Sequence, residues 1–252
     1  MKTTLITLLL LSAATNGLAQ TRQQQTLSTW QFSRDSTLWH PVSVPHDWAI
    51  SGPFDKQWDL QTVAIVQNGE KEKTEKTGRS GALPWIGRGY YATSLTVGDL
   101  SGRRATLEFD GAMAEPVVYV NGRRAGSWAY GYTPFRVDIT PYLHAGDNTL
   151  AVSLHNQPES SRWYPGAGLY RPVRFVVTPA VCLDPWLTFL RTTQADSTAA
   201  TLSVDTEVKD AKGQRGLAVE VSVINPKGWV EQAAHASVGS DGRVHVDLPV
   251  AH

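Results

Sequence analysis

The chain has 252 residues, room for one large or two modest domains. With 41% hydrophobic and 18% charged residues it has the composition of a folded globular protein, which excludes a disordered chain. Lys+Arg and Asp+Glu are both 23, so the formal net charge is zero and no cationic excess exists to hold DNA or another polyanion.

The N-terminus has the pattern of an export signal. Lys2 supplies a positive start, Leu5 to Leu11 form a short apolar run, and Gly17 and Ala19 offer a small-residue cleavage site before Gln20. The run is too short to span a bilayer as a helix. A buried helix is the competing reading, but position, charge and the small-residue exit favour export. The expectation is a mature chain starting near Gln20, periplasmic or secreted, with no membrane attachment after cleavage. The single cysteine, Cys182, cannot pair within the chain and reads as a small core residue between Val181 and Leu183.

From Thr26 onward the pattern is that of short strands. "VSVPHDWAI" (Val42 to Ile50) places His46 and Asp47 between Pro45 and Trp48. Adjacent residues of an extended segment point opposite ways, so a catalytic dyad is disfavoured. Asp47 has two readings, a tie for loop amides and a substrate contact. "QNGEKEKTEKTGRSG" (Gln67 to Gly81) reads as a solvated loop or hairpin tip. Trp85 and Ile86, between Pro84 and Gly87, suit a rigid surface feature rather than a strand centre.

Ala105, Leu107 and Phe109 alternate with Thr106 and Glu108, the period of a half-buried strand. Asn121-Gly122 tolerates positive φ at both central positions and predicts a type I′ hairpin. A Gly-Asp-Asn turn then leads to Leu150, Val152 and Leu154 on one face. "RPVRFVVTP" is another strand, entered by Pro172 and closed by Pro179.

"SSRWYPGAGLYR" (Ser160 to Arg171) breaks the pattern. Pro165, Gly166 and Gly168 impose an irregular backbone. It fixes Arg162, Trp163 and Tyr164 on one side, Tyr170 and Arg171 on the other. A guanidinium can donate to sugar hydroxyls while an aromatic ring covers an apolar sugar face. The same residues could equally form a cation–π staple at a sandwich corner. Arg171, next to a strand, is the structural candidate; Arg162 and Trp163 are the ligand-facing ones.

A second unit starts near Val181. Leu202, Val204, Thr206 and Val208, then Leu217, Val219, Val221 and Val223, then Val244, Val246, Leu248 and Val250 each alternate with polar residues. Only about five strands fit before His252, against roughly seven for an immunoglobulin-like sandwich, so truncation is expected. The sequence lacks His-Glu-x-x-His, Cys-x-x-Cys, phosphate-loop and Gly-x-Ser-x-Gly signatures. "GAG" at Gly166 to Gly168 lacks the third glycine of a dinucleotide fingerprint. No metal or cofactor is predicted.

"VPHDWAI", "GYY", "EFDGAMAEPVVYVNGRRAGSWAYGYTPFRVDIT", "GDNTLAVSLHN" and "RWYPGAGLYRPV", in this order from about Trp39 to Val177, resemble the N-terminal sugar-binding domain of glycoside hydrolase family 2. That family includes β-galactosidases, β-glucuronidases and β-mannosidases. "RWYPGAGLYR" is most similar to the β-galactosidase branch, and the Asp59 to Tyr91 segment resembles an insertion of secreted bacterial members. The strand pattern already reads as all-β, and after the signal peptide at 1–19 the resemblance implies a jelly-roll sugar-binding sandwich over 20–180 and part of an immunoglobulin-like sandwich over 181–252. It implies a (β/α)₈ barrel as partner, whose two glutamates perform retaining hydrolysis. No catalytic residue is therefore assigned here, and Glu108, Glu115 and Glu159 are not promoted to that role. Arg162, Trp163, Tyr164 and Asp47 are the expected carbohydrate contacts, for a β-galactoside-type sugar. Some β-galactosidases carry an acidic residue where this chain has Arg162, which would donate where a carboxylate accepts. A stand-alone carbohydrate-binding module and a non-enzymatic β-sandwich adhesion protein are the alternatives.

Overall fold

A computed structural model of the chain describes residues 5–7, 22–55, 69, 71, 85, 87–157 and 166–251. The described residues form two units. One is Arg22–Val177; the other holds the chain from Thr178 and the short strand β1 (Leu5–Thr7). No helix among them is long and apolar enough to cross a membrane. The Gln67–Gly81 loop, apart from Gly69 and Lys71, lies outside the described residues, as does Ile86.

The first unit is a sandwich of ten strands: β2 (Gln23–Thr26), β3 (Thr29–Ser33), β4 (His40–Ser43), β5 (Arg88–Val97), β6 (Arg103–Phe109), β7 (Val117–Val120), β8 (Arg123–Ser127), β9 (Phe135–Asp138), β10 (Gly146–His155) and β11 (Val173–Pro179). One sheet runs β4-β3-β5-β10-β7-β8 and the other β2-β11-β6-β9. This is the all-β architecture expected from the short alternating runs. The long pair β5–β10 is antiparallel, from Gly146 opposite Val97 to His155 opposite Arg88.

Period-two alternation builds the core between the sheets. Ala105, Leu107 and Phe109 of β6 and Leu150, Val152 and Leu154 of β10 are all at most 1% exposed. Glu108, between two of those core residues, is buried too, and its Oε2 accepts from Arg22 Nη2 at 2.8 Å. Burial without that partner would leave a charge uncompensated. Asp110 takes a two-pronged pairing from the Arg174 guanidinium, which raises the arginine's pKa further.

The β7–β8 hairpin turns on Asn121 and Gly122 at φ 50 and 75°, the type I′ geometry read from the sequence. Asn121 does more than turn. Its Nδ2 donates to Tyr142 O (3.0 Å) and Asn148 Oδ1 (2.8 Å), and its Oδ1 accepts from Thr149 N (2.9 Å). Gly146, Asp147 and Asn148 are not a turn before β10 but its first three residues. Asn148, 1% exposed, donates to His144 O and Gly146 O at 2.8 and 3.0 Å. Its amide supplies locally the hydrogen bonds that made the tripeptide look like a turn.

The second unit contains β12 (Cys182–Leu183), β13 (Phe189–Ala195), β14 (Ala199–Lys209), β15 (Ala218–Ile224), β16 (Val230–Ser237) and β17 (Arg243–Ala251). β14 pairs with β12, β13 and β17; β15 pairs with β16 and with β1. Val204, Val208, Val219, Val221, Val223, Val244, Val246 and Leu248 form its core. Six described strands follow Val181 rather than five, because the two-residue β12 carries no alternation to read. Cys182 corrects the sequence reading: it is only half-buried, opposite Lys209, while Leu183 on the other face reaches the core. β13 is exposed along its whole length and has no alternating face.

Where β17 pairs with β14, His245 sits in a fork of carboxylates. Its Nδ1 is 2.6 Å from Asp205 Oδ1 and its Nε2 3.3 Å from Asp247 Oδ2, while Arg191 pairs with Asp205 at 2.8 Å. The Asp205 hydrogen bond, then that of Asp247, raises the His245 pKa, and both aspartates are lowered. His245 is expected to titrate above the ordinary histidine midpoint of about 6.5 in an NMR pH series, and Asp205→Asn to bring it back down. For the hairpin, Asn121→Ala should cost roughly 1–3 kcal/mol in urea unfolding, and Asn121→Gly, which keeps the φ, less.

Candidate functional site

The Pro45–Ile50 loop and the "GAGLYR" segment were separate motifs in the sequence; they meet at one end of the first sandwich. Residues 166–169 run between two backbone partners. His46 N donates to Leu169 O (2.8 Å) and Trp48 N to Ala167 O (2.9 Å) on one side. Met113 N donates to Gly168 O (3.0 Å), and Gly168 N to Met113 O (2.9 Å), on the other. Ala167 and Leu169 are fully buried. Gly168 is at φ 129°, and a Cβ there would lie 2.4 Å from His46 O and 2.6 Å from the Tyr91 hydroxyl. Only glycine fits both the dihedral and the space.

Asp47 locks this arrangement. One carboxylate oxygen accepts from Ala49 N (2.8 Å), which shapes its own turn, and from Ala167 N (2.9 Å), 120 residues away. Asn156 adds a second lock: its N donates to Gly87 O (3.0 Å) and its Nδ2 to Gly166 O (3.1 Å). The latter bond draws together the two flanks of the segment that bears the other three expected sugar contacts. Arg162, Trp163 and Tyr164 themselves lie outside the described residues. Asp47 is therefore the one expected contact with a described position, and there it ties amides.

Beyond the segment the chain is fixed again. The Tyr170 hydroxyl donates to Gly131 O (3.0 Å). Arg171 Nη1 lies 3.2 Å from Asp110 O and 3.4 Å from Tyr132 O, with its guanidinium over the Tyr170 ring at 5.2 Å. Arg171 is thus the structural arginine of the stretch.

Beneath the loop lies an aromatic cluster that the sequence did not announce. Trp48, 1% exposed, stacks on Phe32 at 5.4 Å and meets Trp85 at 5.7 Å. Arg34 lies over the outer Trp85 ring at 4.7 Å. Trp85 lies outside any strand, as its Pro and Gly neighbours suggest, but instead of a surface feature it is half-buried against the core. The Trp48 Nε1 is buried with no hydrogen-bond partner among the described residues. The His46 ring nitrogen is 2.7 Å from the hydroxyl of fully buried Tyr91. Burial lowers the His46 pKa, against the pull of Asp47, and burial raises that of Tyr91. The signals for this cluster were present but mute: Trp30 and Phe32 alternate on β3, and Tyr91 is the second tyrosine of "GYY".

Glu115 is also engaged, at φ 48°: Gln157 Nε2 donates to its Oε1 (2.5 Å) and His155 Nδ1 is 3.3 Å from its Oε2. No group of three or more His, Cys, Asp or Glu side chains among the described residues is placed to hold a metal ion.

The family model of the glycosyl hydrolases family 2 sugar binding domain matches residues 28–179, nearly the whole of the first unit, and the chain belongs to this family. A protein of Formosa agariphila provisionally named a β-glucuronidase is 31% identical over 86% of this chain and 19% of its own length. A β-galactosidase of Bacteroides ovatus is 35% identical over 67% of this chain and 18% of its own length. This chain thus spans about a fifth of the length of these relatives. A family 2 glycosyl hydrolase of Bacteroides cellulosilyticus has the same fold at a TM-score of 0.69 and 24% identity, over 90% of this chain and 31% of the solved one.

Two outcomes follow from the geometry. Asp47→Ala should destabilise the first unit by about 1.5–3 kcal/mol in denaturant titration, with Asp47→Asn, still an acceptor, losing less. Because the His46 pKa is lowered by folding, the unfolded chain binds the extra proton between the ordinary value and the folded one. His46's contribution to stability should therefore be complete above about pH 6.5 and decline as pH falls below it, and His46→Asn should flatten that decline.

Proposed function

We propose that the chain is the N-terminal, non-catalytic portion of an exported β-galactosidase-like retaining glycosidase. In this reading the first sandwich presents Arg162, Trp163 and Tyr164 to the terminal sugar of a β-galactoside-type substrate. Two glutamates of a (β/α)₈ barrel cleave the bond: one protonates the leaving oxygen and the other forms a glycosyl intermediate that water resolves.

The observation that carries the reading is the double-sided backbone pairing of Gly166–Leu169. A sugar contact gains affinity when its support is ordered before binding. The Asp47 and Asn156 locks hold the base of the segment through bonds within the chain itself. The described carboxylates near it are occupied in other ways, Asp47 by two amides and Glu115 by Gln157 and His155. Family membership supports carbohydrate as the ligand class, and the Bacteroides ovatus relative supports galactose.

The test is turnover of fluorogenic β-galactoside and β-glucuronide. The protein joined to its barrel should hydrolyse the galactoside and the 252-residue chain alone neither. Turnover by the chain alone contradicts the assignment. In the joined enzyme Arg162→Ala should raise KM for the galactoside; unchanged KM and kcat would make Arg162 a corner staple.

A further inference from the structure

A second aromatic feature lies on the same sandwich, in the segment that links β8 to β9. Trp128, Phe135 and Phe109 form a pile of three nearly parallel rings. Trp128 lies on Phe135 at 5.8 Å and 7° between planes, and Phe135 on Phe109 at 4.5 Å and 3°. The pile runs from the surface into the core: Trp128 is 44% exposed, Phe135 2% and Phe109 fully buried. One indole face is thus pressed on the core and the other opens to solvent.

The plate is held in plane as well. Trp128 Nε1 donates to Thr133 Oγ1 (3.0 Å) and its backbone N to Pro116 O (3.0 Å). Tyr130 and Tyr132, both exposed, belong to the same segment and form a tilted pair 5.7 Å apart. Tyr170 anchors the same segment through Gly131 O.

An exposed indole alone needs no explanation; what sets Trp128 apart is that its inner face is stacked on Phe135 while its Nε1 and backbone N are both bonded. Here the plate cannot swing in to bury itself, because Phe135 already fills the site below it. A flat, fixed apolar face matches a pyranose, one ring face of which presents only C–H groups while its hydroxyls lie at the rim or on the other face.

We propose that Trp128, as the outer plate of the Trp128–Phe135–Phe109 pile, is a carbohydrate-stacking site that takes the C–H face of a neutral β-linked pyranose, with Tyr130 and Tyr132 of the same segment as further contacts. This rests on the reading of the chain as carbohydrate-binding. It adds Trp128 to the expected contacts Arg162, Trp163 and Tyr164.

The probe is lactose, titrated onto the 252-residue chain and followed by saturation-transfer NMR and tryptophan fluorescence. Saturation should reach the galactose H3, H4 and H5 protons on one ring face. Trp128→Ala should weaken binding at least tenfold, while Trp128→Phe retains most of it. Circular dichroism and thermal unfolding of each variant confirm that the fold is kept; should Trp128→Ala not fold, Tyr130→Ala with Tyr132→Ala is read instead and should weaken binding severalfold. Lactose binding unaffected by these changes, or the lack of any lactose binding, overturns the proposal. Turnover by the barrel-joined enzyme judges the glycosidase reading separately, since catalysis could proceed with Trp128 idle.

Discussion

Gly168 is the constraint on which the rest of the first sandwich's end is built. At that point the chain passes so close to the His46 carbonyl and the Tyr91 hydroxyl that a single added carbon would collide with both. The close approach lets Gly166–Leu169 pair by backbone with the His46–Trp48 stretch and with Met113 at once. Those pairings bury Ala167 and Leu169 and bring the Ala167 amide within reach of Asp47. A loop anchored this way pays its ordering entropy during folding rather than at the moment a ligand arrives.

The anchoring also explains how two motifs 120 residues apart share one role. Asp47 shapes its own turn through Ala49 and reaches the far segment through Ala167 with the same oxygen. Trp48, next in sequence, points the opposite way into the Phe32, Tyr91 and Trp85 cluster. Alternation thus sends one residue to hold the rim and its neighbour to hold the floor. Gly89 belongs to the same packing, since a Cβ there would lie 2.4 Å from the Trp48 ring.

Much of the fold was legible because it is period-two chemistry. Ala105-Leu107-Phe109 and Leu150-Val152-Leu154 announce their buried faces, and Asn-Gly announces its turn. What was not legible is long-range. Nothing local in Gly-Asp-Asn says that the Asn148 amide will be buried and satisfied by its own neighbours, so the tripeptide read as a turn. Cys182 looked like core by its flanks, but which face of a two-residue strand turns inward depends on its partner across the sheet. At the site, the irregular backbone of Gly166–Gly168 followed from residue type and the structural use of Arg171 from its place next to a strand. The Asn156 clamp, the Tyr91–His46 pair and the Trp128 pile did not, because each needs residues that come together only in three dimensions. The family resemblance, carried by five ordered motifs, bridged that gap for the fold and for the ligand class.

Native-state amide hydrogen exchange at Ala167 and Gly168, in the chain without sugar, addresses the central claim most directly. Ordered in advance by His46–Trp48, Met113 and Asp47, these two amides should exchange as slowly as those of Leu150 and Val152 in β10, orders of magnitude below the rate of a solvated loop. Exchange at loop-like rates would mean that the segment is not held before ligand arrives, and the account of a preformed base for sugar recognition would fail.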